Sequence, residues 1–316
     1  MTILRGRPPA NPRATAEAGE LLELVYRISG RRVLSGQHNT PRELSLYSDQ
    51  AEQMTGEYPA IWGQDFGFAR SGDMDGVNYR QDVIEEAKKQ HAAGSIVTLM
   101  WHAARPTEEE PVTFLGSVCD GILPESDWQD LRTVGTQIHA RWLRQVDVIA
   151  GLLAQLQILS IPVLWRPYHE MNGSWFWWGG RKGDTGSAAL YRQLYDRLVN
   201  VHHLDNLVWV WNANAPRIDT MVYDGVYPGH DVVDILAADV YENDFRQSHH
   251  DDLVSLAEGR PVALGEVGRL PTAEILDAQP QWAWFMTWTK HLNTENNTTD
   301  VRKLFSSPRV LNRPRP

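Results

Sequence analysis

The sequence contains a single cysteine, Cys119, among 316 residues. One thiol excludes an internal disulfide framework and any zinc or iron–sulfur site built from several cysteines. The sequence also lacks a run of about 18 apolar residues, the minimum for a membrane-spanning helix. Positive charge is in deficit, because 30 Lys and Arg stand against 40 Asp and Glu, for a formal net charge of −10. Such an acidic chain is a poor partner for nucleic acid or an anionic membrane. We also expect the protein to be a monomer.

A secretion signal is also missing from the sequence as written. Residues 1–13 are polar and rich in Arg and Pro, without the apolar segment that a signal peptide needs. The sequence therefore predicts a cytoplasmic protein, or a secreted one whose signal was removed, and leaves the location open. The residue in excess is tryptophan, with 13 copies. Flat indole rings favour carbohydrate or another ring-shaped ligand.

Short apolar segments alternate with amphipathic ones along the chain, which predicts a parallel sheet covered by helices. Eight such strands close into a single (β/α)₈ TIM barrel of 316 residues. We find no linker and expect loosely held ends, about residues 1–15 and 305–316. The predicted strands are Arg32–Ser35, Tyr58–Trp62, Ser95–Trp101, Ile161–Arg166, Leu207–Trp211, Val233–Ala237, Val262–Gly265 and Trp284–Thr287. The predicted helices are Tyr79–Ala93, Trp128–Leu159 and Ser187–His203.

Two glutamates stand at predicted strand ends, where barrel enzymes carry their catalytic groups. Glu170 follows the fourth strand and Glu266 the seventh, so they can face each other across the barrel mouth. A pair of carboxyl groups flanking a sugar bond is the minimum equipment for glycoside hydrolysis. One must be held protonated and the other ionised, which different surroundings can achieve.

The residues around these glutamates resemble a known family. The segment Trp165-Arg-Pro-Tyr-His-Glu-Met-Asn-Gly-Ser-Trp-Phe-Trp-Trp-Gly179 is similar to the acid/base motif of glycoside hydrolase family 26, best known as β-mannanases. Four shorter motifs resemble the family's other strand ends in the expected order: Leu34-Ser-Gly-Gln-His38, Trp101-His102, Asp239-Val-Tyr241 and Leu264-Gly-Glu-Val-Gly268. The resemblance covers residues 33 to 290 and implies a retaining (β/α)₈ glycosidase.

The resemblance also implies individual roles. Glu170 would be the general acid/base and Glu266 the nucleophile, in a double displacement that retains configuration. The implied substrate-binding residues are Trp101, His102, Arg166, His169, Trp175, Tyr241 and Trp288. Among these, Tyr241 would orient the nucleophile, Arg166 would favour its ionised form, and Trp175 and Trp288 would be stacking platforms.

The sequence predicts no metal site and no organic cofactor for this chemistry. Its best interpretation is an endo-β-1,4-mannanase acting on mannan, glucomannan or galactomannan. Two alternatives stay open: a β-1,3-xylanase or mixed-linkage β-glucanase of the same family, and a non-catalytic carbohydrate-binding protein. The segment Ala103-Ala-Arg-Pro106 has no asparagine before its proline, where mannanases more often carry one. Endo or exo action and the distal sugar contacts are therefore not decided by sequence.

Overall fold

Eight parallel strands close into a barrel in the computed structural model, which describes residues 6–68 and 76–314. Each strand pairs with the next along the chain, and β1 pairs with both β2 and β8 to complete the circle. The predicted (β/α)₈ barrel is confirmed. The strands are β1 Val33–His38, β2 Ile61–Asp65, β3 Ile96–Trp101, β4 Val163–Pro167, β5 Leu207–Asn214, β6 Ile235–Val240, β7 Val262–Val267 and β8 Trp282–Thr287.

Of the helices, one precedes the first strand and covers an end of the barrel, and the others follow strands in sequence and cover its outside. They are α1 Ala16–Ile28, α2 Leu46–Thr55, α3 Arg80–Ala92, α4 Glu125–Arg132, α5 Gln137–Ile158, α6 Ser187–Asp196, α7 Gln247–Ala257, α8 Ala273–Ala278, α9 His291–Glu295 and α10 Thr298–Phe305. Within the described ranges, none is both long and apolar enough to cross a membrane. The predicted helix Trp128–Leu159 is in fact α4 and α5. Gly135, at φ 95°, lies in the break, and the Thr136 side chain accepts from His139 N at 3.1 Å to start α5.

Apolar side chains form two layers that meet at the strands. The inner layer fills the barrel and continues onto α1, whose Leu22 and Val25 are buried against it. The outer layer lies between the strands and the surrounding helices and holds most of the large aromatic residues. Because Thr15 N donates to Asp205 O just before β5 begins, α1 covers the end of the barrel where the strands start. The opposite end, where the strands finish, is left for the site.

Both described ends of the chain are held against the barrel. Ala10 N donates to Asp234 Oδ1 at 2.6 Å, and the buried Asn11 donates to Asp205 Oδ1 at 2.8 Å. At the other end, a ninth strand, β9 Val310–Leu311, pairs in parallel with β1. The expectation of loosely held ends is therefore wrong for residues 10–15 and 305–311, because backbone hydrogen bonds and strand pairing fix them.

The packing of α1 predicts a separation of stability from activity. We expect Leu22→Ala to lower the free energy of unfolding by about 2–4 kcal/mol, because it opens a cavity in a well-packed core. Turnover at a temperature where the variant is folded should be unchanged, since α1 lies at the far end of the barrel. Urea unfolding measures the first effect, and Glu23→Ala on the exposed face of α1 is the matched control. A loss of turnover in the folded variant would contradict this account.

Candidate active site

The backbone after β4 is turned sharply to present Glu170. Tyr168 and Glu170 both have positive φ, at 48° and 56°, a conformation that costs a non-glycine residue about 1 kcal/mol or more. Two hydrogen bonds fix the turn: Glu170 N donates to Asn212 O at 2.7 Å, and Gly173 N donates to Glu170 O at 2.9 Å. The strained geometry is therefore held by β5 on one side and by the following turn on the other.

Glu170 is surrounded by neutral hydrogen-bond donors. Asn214 Nδ2 donates to its Oε1 at 2.8 Å, and Trp175 Nε1 donates to its Oε2. Its side chain is buried, and this burial, together with the negative charge of Glu266, raises the pKa of Glu170 to about 7. The two donors oppose the rise but do not cancel it. Glu170 can therefore hold a proton up to neutral pH and release it when its surroundings change.

Glu266, at the end of β7, has partners of a different kind. Tyr241 donates its hydroxyl to Oε2 at 2.8 Å, and Arg166 Nη2 lies 3.4 Å from Oε1. His169 Nε2 lies 3.9 Å from the same oxygen. Burial raises the pKa of Glu266 above its ordinary value, while the Arg166 charge and the Tyr241 hydrogen bond lower it. These contacts stabilise the ionised form, which is the form that can attack an electrophilic carbon.

The Arg166 guanidinium is the buried positive charge in the mouth of the barrel. Its Nη1 donates to Asn212 Oδ1 at 2.5 Å and lies 3.9 Å from Asp239 Oδ1. Burial, followed by repulsion from Glu266, raises the pKa of Asp239 well above its ordinary value. Ligand atoms of His169, Asp239 and Glu266 lie within 4.8 Å of one another. The adjacent guanidinium opposes a metal ion there, because it already supplies positive charge to both carboxyl groups.

Two histidines line the side of the mouth next to Glu266. His102 Nδ1 lies 2.6 Å from Asp65 Oδ2, and the two rings of His102 and His169 meet edge to face at 4.5 Å. Burial would raise the pKa of Asp65, but His102 and backbone N–H groups lower it to about 2. Burial, with the charges of His102 and Arg166, lowers the pKa of His169 well below its ordinary value. Asp65 is thus a fixed anion that orients His102, and His169 is neutral.

Aromatic rings border the mouth on two sides. Trp288, after β8, stacks on His38 with ring centres 4.2 Å apart and an angle of 27°, and Phe68 meets it edge-on at 5.2 Å. Burial, and then the Arg166 charge, lowers the pKa of His38 to about 3, so His38 supports Trp288 as a neutral flat ring. On the other side, the partly buried Trp175 reaches Glu170 with its indole N–H. Such surfaces suit the C–H faces of sugar rings.

Comparison with known proteins agrees with this geometry. The model of "Glycosyl hydrolase family 26" matches residues 10–315. The chain belongs to glycosyl hydrolase family 26. A mannan endo-1,4-beta-mannosidase of Thermothelomyces thermophilus is 35% identical over 95% of the chain, and one from Bacillus subtilis is 27% identical over 96%. The chain spans 61% of the fungal relative and 88% of the Bacillus one, and about half of two Piromyces mannanases, 49% and 52%.

Two solved structures superpose over nearly the whole chain. GH26A from a Muricauda species is 43% identical with a TM-score of 0.91, covering 96% of this chain and 98% of that one. A beta-mannanase from a symbiotic protist of the termite Reticulitermes speratus, complexed with gluco-manno-oligosaccharide, is 27% identical with a TM-score of 0.83. That match covers 98% of this chain and 97% of the protist one.

One residue predicted to bind substrate lies elsewhere. Trp101 is 1% exposed and belongs to the outer apolar layer together with Val97 and Leu99 of the same strand. Alternate residues of a strand point to opposite faces, so Trp101 points away from the barrel interior, towards Tyr168 at 6.1 Å. Its assignment to the substrate-binding set is wrong, because the strand parity places its indole between β3 and the helices.

The structure brings the other predicted site residues together at one end of the barrel: Glu170, Glu266, His102, Arg166, His169, Trp175, Tyr241 and Trp288. It also brings to the site residues for which no role is predicted from the sequence. Asn212, Asn214 and Asp65 stand at strand ends, so their positions were a usable signal. The sequence holds no such signal for Phe114 and Phe176. Their rings lie 5.3 and 5.2 Å from the His102 ring, but both residues come from irregular segments.

The contact between Trp175 and Glu170 predicts a measurable pKa change. We expect the pKa of Glu170 to be about 7 in the native protein and higher in Trp175→Phe, because a hydrogen bond to the ionised carboxylate is lost. A ¹³C NMR titration of glutamate-labelled protein, with the Glu170 signal assigned from Glu170→Gln, gives both values. A lower pKa in Trp175→Phe would contradict the assigned hydrogen bond. Ser174→Ala, at the exposed neighbouring position, is the control.

Proposed function

We propose that this chain is a retaining endo-β-1,4-mannanase that hydrolyses mannan, glucomannan or galactomannan by double displacement. The observation that carries the proposal is the contrast between the two buried glutamates. Neutral donors surround Glu170, whereas a guanidinium and a phenol contact Glu266. Two carboxyl groups in such different surroundings, one favouring the protonated form and one stabilising the ionised form, are the arrangement that glycoside cleavage requires. The mannanases among the relatives support the choice of substrate.

In the first step, Glu170 donates its proton to the glycosidic oxygen while a Glu266 oxygen attacks the anomeric carbon. The C–O bond to the leaving sugar breaks, that sugar departs as an alcohol, and the remaining sugar is left as an ester of Glu266. Tyr241 holds the attacking carboxylate in place through its 2.8 Å hydrogen bond. Arg166 stabilises the negative charge until the ester forms.

In the second step, Glu170 acts as a base. Burial still raises the pKa of Glu170 once Glu266 is an ester, but the negative charge that added to the rise is gone, so the pKa of Glu170 falls and its ionised form becomes more accessible. It takes a proton from water, the water oxygen attacks the anomeric carbon, and Glu266 leaves as a carboxylate. Two inversions at the same carbon retain the β configuration.

The polymer is proposed from the rings that border the mouth and from the relatives. Trp288, stacked on His38, and Trp175, hydrogen-bonded to Glu170, are the indole rings proposed to contact the sugars. The protist structure was solved with a gluco-manno-oligosaccharide, so a related barrel accommodates both glucose and mannose units. A β-glucan is the second candidate, because an endoglucanase H of Acetivibrio thermocellus is 26% identical over 47% of the chain.

Removal of each glutamate separates the catalytic proposal from a binding function. We expect Glu170→Ala and Glu266→Ala each to lower kcat/KM on mannohexaose by roughly 10²–10⁴-fold or more, because each removes a group that acts on the reacting atoms. Azide should partly restore Glu170→Ala alone, with an aryl mannoside whose leaving group needs no proton. Equal turnover in the wild type and both variants would contradict catalysis by this pair. Glu242→Ala, an exposed carboxylate at the rim, is the control.

The product profile tests the substrate. With mannohexaose we expect products of several intermediate lengths, because an endo-acting enzyme cuts at internal bonds. Chromatography of samples taken early in the reaction gives the distribution. Release of one short product from the first minutes would indicate exo action. An untouched mannohexaose, with cleavage of mixed-linkage glucan or β-1,3-xylan instead, would contradict the mannanase proposal and leave the glycosidase chemistry standing.

A further inference from the structure

A short helix beyond β8 packs against the tyrosine that holds the nucleophile. Helix α9 begins at His291, three residues after Trp288, and the His291 ring meets the Tyr241 ring edge to face with centres 5.9 Å apart. His291 Nδ1 is paired with Glu295 Oε1 one helical turn later. The imidazole is therefore fixed at one end by a carboxylate and presented to Tyr241 at the other.

A glycine just after β7 leaves room for the side chains of Glu295 and Tyr241. A Cβ atom added to Gly268, two residues after Glu266, would lie 2.5 Å from Glu295 Oε2 and 3.3 Å from Tyr241 Cδ1. Asn296 Nδ2 donates to Gly268 O and to His291 O, both at 2.9 Å. The strand that carries the nucleophile, the Tyr241 ring and α9 are thus one packed unit, which gives a physical reason for glycine at position 268.

We propose that His291, held by Glu295, is a positioning residue that keeps the Tyr241 hydroxyl on Glu266. The proposal rests on the retaining chemistry proposed above. Tyr241 is only partly buried, so its ring needs lateral support to keep a 2.8 Å hydrogen bond to a carboxylate. That hydrogen bond lowers the pKa of Glu266. A tyrosine free to move would make the bond less often, and Glu266 would ionise at a higher pH.

The other charged groups around the two side chains are separate from this contact. Those that act on Glu266 or Tyr241 are Arg166, His169, His102, Asp239 and Glu170. They come from β3, β4 and β6 or the turns that follow them, whereas His291 and Glu295 belong to α9. A change at His291 therefore leaves these charges in place and alters the support of Tyr241.

A double-mutant cycle on the full chain tests the proposal, with mannohexaose as the substrate and kcat/KM followed against pH. We expect His291→Ala to lower kcat/KM by about fivefold to tenfold, in the range of coupling between contacting residues. The acidic limb of the profile should move to higher pH. Tyr241→Phe should lower kcat/KM further and move the acidic limb further to higher pH. If His291 acts through Tyr241, adding His291→Ala to Tyr241→Phe should have no further effect.

Thr294→Ala, on the exposed side of α9, is the matched control and should leave both quantities unchanged. Glu295→Ala keeps the imidazole but removes its anchor, and we expect a smaller change in the same direction. It also provides a second reading if His291→Ala proves poorly folded by circular dichroism. Additive effects in the cycle, or an acidic limb that stays in place, would overturn the positioning role. A wild type without turnover on any β-glycan would instead overturn the proposed function on which this role rests.

Discussion

The buried guanidinium of Arg166 stands next to the carboxyl groups of Glu266 and Asp239 in the mouth of the barrel. A carboxylate taken out of water without a partner is very costly, so the guanidinium favours the ionised form most strongly in the acid that it contacts. Arg166 contacts Glu266 and approaches Asp239, whereas Glu170 receives only the neutral donors Asn214 and Trp175. The proton therefore stays on Glu170. The division of labour between acid and nucleophile follows from where the guanidinium lies.

The backbone after β4 presents Glu170 by keeping two residues in an unfavourable conformation. Tyr168 and Glu170 keep positive φ because β5 supplies fixed partners: Asn212 O accepts from Glu170 N, while Asn214 N donates to Asn172 Oδ1 at 2.8 Å. A parallel barrel provides such partners because neighbouring strands end at the same level. The strain is local, and these hydrogen bonds oppose its relaxation. The turn after β4 and the end of β5 thus together fix the position of Glu170.

Much of the fold and of the site could be predicted from the sequence, because the signals were either periodic apolar segments or polar residues at the ends of strands. Apolar segments at regular intervals gave the barrel, and polar residues directly after them gave Glu170, Glu266 and Tyr241. Trp101 shows where the reasoning failed: a strand-end residue points inward or outward by parity, and a shift of one residue reverses it. Phe114 and Phe176 reach the site from irregular segments, whose path depends on tertiary contacts. The partners of Glu170 likewise depend on the backbone turn.

In the proposed mechanism, Glu266 becomes covalently bound to the sugar while Glu170 moves the proton. Trapping the intermediate with a 2-deoxy-2-fluoro β-mannosyl donor, followed by peptide mass spectrometry, tests it most directly. We expect one sugar per chain, attached to the peptide that contains Glu266, and no adduct in Glu266→Ala. An adduct on another residue would contradict the assignment. So would first-formed products of inverted configuration by ¹H NMR, because a single displacement passes through no such ester.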